Sequence, residues 1–352
     1  MKRVNEVTKR ICKIDPAIIR QAQNKLDNLA KPLGSLGRLE ELAKQICGIT
    51  GNLEPSLNNK VIFTLAADHG VTDEGVSPYP KEVTAQMVYN FVNAGAGINV
   101  LAAHAGARVV VADVGVCVDL KPDQKLLVNK IGYGTRNMAK GPAMTREEAI
   151  KSICAGIEIF ENEYRKGIDI AGTGEMGIGN TTAASAIVAC FSKRPVEEIT
   201  GRGAGLDDKG LNNKIMIIKK SLIVNSPDPL DAIDVLAKVG GFEIGGLAGI
   251  ILAAAANKVP VVIDGFISGA AALIAYHLEP KVKEYMIAAH CSVESGHRFI
   301  LEHIGLKPLL DLNLRLGEGT GGALAIGLAD AGVKILTQMA TFQSANVSER
   351  DK

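Results

Sequence analysis

The 352-residue chain has no tryptophan, and aromatic residues make up only 4% of it. Single-stranded nucleic acid is gripped by stacking bases on aromatic rings, so this scarcity argues against that class of partner. Charge bias is missing too. Thirty-nine Lys and Arg against 38 Asp and Glu leave a formal charge of +1, too little for a bulk pull toward nucleic acid or an anionic membrane. The six cysteines, Cys12, Cys47, Cys117, Cys154, Cys190 and Cys291, form no CxxC pair and no compact disulfide framework, which points to a reducing, cytoplasmic setting. No apolar run is long enough to span a bilayer, the longest covering residues 247–256. The basic N-terminus MKRVNEVTKR is not followed by the apolar stretch of a signal peptide. A soluble, unprocessed protein with no nucleic-acid and no membrane partner is therefore expected. There is no P-loop, no HExxH, no Cys/His quartet and no Gly-x-Ser-x-Gly elbow, so neither a metal centre nor a serine nucleophile is expected.

What the chain has is glycine, 38 residues of it, in a composition that is 47% hydrophobic. Closely packed small-residue helices and tight turns follow from that combination. Helical patterns at 16–30 and 39–49 flank the punctuated KPLGSLGR, and Leu39, Leu42, Ala43, Ile46 and Ile49 form one apolar stripe, the mark of a docked amphipathic helix. From about residue 60 the pattern changes to short aliphatic runs at 61–67, 108–114, 168–172, 259–265, 285–290 and 312–317, separated by helical stretches such as 81–103, 146–164 and 242–256. Near-continuous apolar runs are expected of parallel strands buried on both faces. The fold predicted is a doubly wound α/β domain, with a mainly parallel six-stranded sheet, helices on both faces, and a small helical element.

Polar or glycine-rich residues follow five of the six runs: Asp68-His69-Gly70, the run GTGEMGIGNTT (172–182), Asp264-Gly265, His290-Cys291-Ser292 and Gly317-Glu318-Gly319. In open parallel sheets these segments converge on one crevice. Gly172, Gly174 and Gly177 satisfy G-x-G-x-x-G, but a dinucleotide site also needs an acidic residue about 20 positions on, at the end of a strand. Glu197 and Glu198 stand there in SKRPVEEIT, with no strand before them, and Glu175 would meet the incoming pyrophosphate with a carboxylate. A single phosphate at a helix start, held by Gly177, Gly179, Asn180, Thr181 and Thr182, fits better, although an ordinary helix cap has the same local geometry. Two more anion cradles are expected at 200–214, with Arg202 and Lys214, and at 290–298, with Ser292 and Gly296. Three cradles favour a phosphorylated substrate. His290 and His297, with Glu294 between them, are read as hydrogen-bonded turn histidines rather than metal ligands. Glu318, between two glycines and near Leu314, Leu316 and Ala323, suits a general base with a raised pKa, or else complements the dipole of a helix beginning near Thr320.

Eight segments carry a resemblance: KPLGSLGRLEELA (31–43), ADHGVTDEGVSPYPKEVTAQM (67–87), GTGEMGIGNTTAASA (172–186), GRGAGLDDKGLNNK (201–214), GGFEIGGLAG (240–249), DGFISGAAAL (264–273), HCSVESGH (290–297) and LRLGEGTGGALA (314–325). In this order, over nearly the whole chain, they resemble the nicotinate-nucleotide:dimethylbenzimidazole phosphoribosyltransferase family of cobalamin lower-ligand synthesis. The resemblance implies transfer of 5-phosphoribosyl from nicotinate mononucleotide to an aromatic base, without metal or cofactor, giving an α-ribotide and nicotinate. It implies Glu318 as general base, with Glu175 and Lys214 beside it in the active site. Phosphate and ribose would be met by Gly174, Gly177, Asn180, Thr181, Gly203, Asp264, Ser292 and Gly296, and the base by Ser77, Pro78, Tyr79, Gln86, Met87 and Leu316. It further implies a large Rossmann-like catalytic domain over 56–337, a small helical domain over 1–55 completed by about 338–352, and a homodimer or a heterodimer with a paralogue. Another acceptor, such as adenine or a phenolic compound, and a non-catalytic nucleotide-binding subunit remain open alternatives.

Overall fold

The aliphatic runs pair side by side in the computed structural model, which describes residues 1–348. They form β1 (Lys60–Ala67), β2 (Ala107–Gly115), β3 (Leu126–Val128), β4 (Ile170–Met176), β5 (Val261–Ile263) and β6 (Met286–Ala288). The sheet order is β3-β2-β1-β4-β5-β6 and every pairing is parallel. The winding reverses between β1 and β4, so the crevice beyond their carboxyl ends is where a doubly wound sheet receives its ligand.

The two-residue period of β1 sends Val61, Phe63, Leu65 and Ala67 into one core and Ile62 and Ala66 into another. The first core is covered by the helices Arg146–Tyr164, Asn180–Ser192, Phe242–Ala256 and Phe266–Leu278, the second by Val83–Val92, Gly97–Ala105 and Thr320–Gln338. Glycine is what lets the first layer close: a Cβ at Gly156 would penetrate the Gly246 backbone, and one at Gly249 would strike the carbonyl of Ile153. In the N-terminal segment, Val4, Val7 and Ile11 join the first core. The helices Pro16–Asp27 and Arg38–Thr50 instead meet the end of Thr320–Gln338 in a third cluster of Ala22, Leu26, Leu29, Ala43, Cys47 and Leu336. The Ala30 N–H donates to the Ala340 carbonyl at 2.9 Å, tying that cluster to the C-terminal segment. Residues 349–352, the end of the segment expected to complete the small domain, lie outside the described residues. Among the described residues no helix is long and apolar enough to cross a membrane.

Four expectations change. The run 312–317 is not a strand: Asn313 is left-handed at φ 54°, and Leu312 and Leu316 are exposed, so the segment drapes over the carboxyl end of the sheet as a loop. The sixth strand is β3, three residues too short to announce themselves. The stretch 81–103 breaks into two helices at NAGAG, where Ala94 is left-handed at φ 60°. The run 168–172 begins a strand that continues through Gly174 and Glu175 to Met176, so half of the glycine run is sheet rather than turn.

Candidate active site

Gly172 and Gly174 lie in the middle of β4 because neighbouring chains pass there, the usual meaning of a glycine inside a strand. A Cβ at Gly172 would collide with Ile62, and one at Gly174 would lie inside the backbone of Glu318. Neither glycine lines the cavity. The cradle geometry begins later. The chain turns at Gly177, beneath which a Cβ would meet the Ala67 carbonyl, and Gly179, left-handed at φ 91°, is the cap of the helix Asn180–Ser192. The positive end of that helix opens into a cavity of about 500 Å³.

The cavity brings together most of the residues picked from the sequence. Glu175, Gly177, Asn180, Thr181, Gly203, Asp264, Ser292 and Glu318 line it, as do Ser77, Pro78, Tyr79, Met87 and Leu316. Four others stand outside the lining. Lys214 is fully buried directly behind it and donates from Nζ to Thr181 Oγ1 at 2.7 Å. Gly174 lies under Glu318, Gly296 packs on Phe266 and Ile199, and Gln86 is exposed on a helix that turns Val83 and Met87 to the cavity. Arg202 also misses the cavity, being half-exposed and paired with Asp208.

Glu318 occupies the most unusual backbone in the site. Gly317, Glu318 and Gly319 are successively left-handed, at φ 83°, 63° and 99°. Glycines adopt that region freely, whereas a glutamate there is strained. Its Oε2 accepts from the Ile98 N–H at 3.0 Å, in the first turn of the helix Gly97–Ala105. Burial raises its pKa, and the Ile98 N–H opposes the rise. The helix that begins at Thr320 is served instead by Asp264, whose Oδ1 accepts from the Gly322 N–H at 2.9 Å. Glu318 therefore does not complement its own helix, and Asp264 has a capping duty in addition to lining the cavity.

Glu175 is buried at the end of β4, and desolvation, reinforced by the charges of Glu243 and Asp264, pushes its pKa up to about 8 against a hydrogen bond from the Asn180 amide. The shift favours its protonated form near neutral pH. Burial drives Lys214 the other way, down to about 8, with Glu294 resisting. Behind the turn, His69 Nε2 and Glu243 Oε1 form a fully buried pair at 2.7 Å; burial, the largest single influence, disfavours the imidazolium, but the charge and hydrogen bond of Glu243 and the charge of Asp68 together outweigh it and the His69 pKa rises. His297, on the helix Ser295–Ile304 rather than in a turn, accepts through Nδ1 from the Ser292 N–H at 3.0 Å, whereas the buried Nδ1 of His290 has no hydrogen-bond partner.

Two charged residues at the cavity were not picked from the sequence. Arg315 lines it and donates to the Gly203 carbonyl at 3.2 Å. Read as part of a strand it would point away from Leu314 and Leu316; as part of a loop it reaches the ligand side. Glu294 accepts from the Gly203 N–H at 2.9 Å and so fixes the 201–205 turn.

Known proteins align with this chain along its whole length. A phosphoribosyltransferase family model matches residues 11–347. The nicotinate-nucleotide–dimethylbenzimidazole phosphoribosyltransferase of Geobacter sulfurreducens is 58% identical over 351 residues, covering 100% of both chains. That of Roseiflexus sp. is 56% identical over 348 residues, covering 99% of each. The crystal structure of CobT from Thermus thermophilus superposes with a TM-score of 0.92 at 44% identity, covering 95% of this chain and 100% of that one. With matches of this extent in both sequence and fold, the chain belongs to the nicotinate-nucleotide–dimethylbenzimidazole phosphoribosyltransferase family.

Proposed function

We propose that the protein moves the 5-phosphoribosyl group from nicotinate mononucleotide to 5,6-dimethylbenzimidazole or a related lower-ligand base, releasing nicotinate and leaving an α-ribotide, with Glu318 as the general base. The observation that carries the reading is the state of Glu318: buried, held by the Ile98 N–H through Oε2, and facing the cavity. One azole nitrogen attacks the anomeric carbon while the proton on the other passes to the Glu318 carboxylate. The bond to the pyridinium breaks, and its electron pair returns to the ring nitrogen, which becomes neutral. That cationic leaving group makes a metal unnecessary. A carboxylate with a raised pKa suits the proton transfer, because its basicity is brought toward that of the azole.

Lys214 fills one lone pair of the Thr181 hydroxyl and so turns its proton outward, at the positive end of the Asn180–Ser192 helix. With Arg315 at the same cavity, this supports a phosphate site there. Protonated Glu175 then acts toward the ribose as a hydrogen-bond donor, and it ionises more readily as positive charge develops at the anomeric carbon. The aromatic base fits the apolar wall of Tyr79, Val83, Met87 and Leu316. We also read residues 1–55 and 338–352 as a small domain, a reading supported by the third hydrophobic cluster, and the protein as a cytoplasmic dimer with reduced thiols.

Chromatography of a mixture with nicotinate mononucleotide and a panel of bases tests this. The expected result is nicotinate plus one ribotide from dimethylbenzimidazole, with adenine and a phenol as competing acceptors that rank the base pocket. Stabilisation by the nucleotide without nicotinate release from any acceptor would make the chain a binding subunit.

A further inference from the structure

β1 is apolar from Val61 to Ala67 except at Thr64, whose neighbours Phe63 and Leu65 are fully buried, as it is. A buried hydroxyl is unfavourable unless it is bonded. This one donates to the backbone carbonyl of Glu318 at 2.9 Å. Directly across the switch point, in register with Thr64, stands Gly174 of β4, whose missing side chain makes room for the same Glu318 peptide. The two strands thus meet Glu318 at one level, one with a donor and the other with a gap. A non-glycine residue in the left-handed region persists only where its surroundings over-determine it. Here the carbonyl is held by Thr64 and the carboxylate by Ile98.

We propose that Thr64 is a positioning residue for the transfer, acting through the Glu318 backbone to aim the carboxylate at the acceptor. This rests on the reading of Glu318 as general base. Thr64 is fully buried and does not line the cavity, so its effect falls on kcat rather than on substrate binding.

Thr64→Val keeps the shape and removes the donor. Assayed well below its melting midpoint, it is expected to lose about tenfold or more in kcat, given how steeply rates depend on the aim of a catalytic group, with the KM for nicotinate mononucleotide unchanged. Thr64→Ser, which keeps a hydroxyl, should restore most of the rate. In a Glu318→Gln background, Thr64→Val should cost nothing further, because there is no longer a base to aim. A wild-type kcat for Thr64→Val, or the same fold loss in both backgrounds, overturns the proposal. Full activity of Glu318→Gln alone sinks the general-base reading instead, so the two failures are distinguishable. Thr64→Ala takes the place of the valine variant if that one does not fold.

Discussion

A glutamate at φ 63° between two glycines carries about 1–3 kcal/mol of backbone strain, and the surrounding contacts must offset it. What that arrangement achieves is a carboxylate with one oxygen committed to the Ile98 N–H. Glu318→Gln separates the geometry from the chemistry. The amide oxygen can still accept from Ile98, and the side chain has the same length, but it cannot take a proton at neutral pH. Turnover is expected to fall by about 10²- to 10⁴-fold, the usual contribution of a general base. Calorimetric binding of nicotinate mononucleotide should be unchanged, and a variant that turns over normally would remove the assignment. At this scale the sequence was most readable where chemistry needs a rare context. Glu318 stood out because glycines flank it and Glu175 because it interrupts a glycine run. Arg315 stood in the same motif, yet a lone arginine in an apolar stretch has no local signature of ligand contact.

At the scale of elements, long helices and buried strands were legible because their signals are periodic and repeat over many residues. The helices Arg146–Tyr164 and Phe242–Ala256 have the boundaries expected from the pattern. The loop 312–317 was not legible, since four of its residues are leucine or arginine spaced as in a strand, and the left-handed Asn313 and Gly317 that break the run leave no distinct mark in that pattern. The division of 81–103 also depends on tertiary contacts, because the second helix begins where its N-terminus meets Glu318. Most informative is β4, whose glycines imitate a dinucleotide fingerprint. Their cause is long-range: each leaves space for a side chain or peptide from a neighbouring segment, and no local rule encodes that. Gly174→Ala is the test. Its methyl group would enter the Glu318–Gly319 peptide, so the turn must shift. Overpacking of this kind is expected to lower stability by about 1–3 kcal/mol. Activity should suffer more, by about a hundredfold, because the displaced residue is the proposed base. A thermal melt and an assay on one sample check both; a variant equal to wild type in both would show that β4 and the turn do not press on each other.

Across the whole molecule the charges nearly cancel, but their distribution is uneven. Glu175, Asp264 and Glu318 line one cavity, with Glu243 buried behind them. Such crowding makes the fold sensitive to pH. The pKa of folded Glu175 is pushed up to about 8, against 4.5 for an ordinary glutamate. Between those values the folded state binds one more proton than the unfolded state, so this group's contribution to stability is complete below pH 4.5 and is lost as pH rises through about 8. Other buried groups overlap parts of that range. Asp264, raised to about 6, acts the same way at lower pH, while His297, lowered to about 3 from 6.5, acts oppositely below 6.5. Lys214, lowered to about 8 from 10.5, adds stability with pH only above 8. His69, raised from 6.5, loses stability in the same direction as pH rises above 6.5, so between about pH 6.5 and 8 Glu175 is read as the difference between wild type and a variant lacking its titration, the other groups being common to both. Glu175→Gln mimics the protonated acid and can still accept the Asn180 hydrogen bond, so it removes the titration without removing the contact. Its melting temperature should match wild type near pH 5 and exceed it by a widening margin toward pH 8, as followed by circular dichroism in matched buffers. Parallel curves over that interval would mean that Glu175 is already ionised at neutral pH, and the role proposed for it toward the ribose would change from a donor's to an anion's.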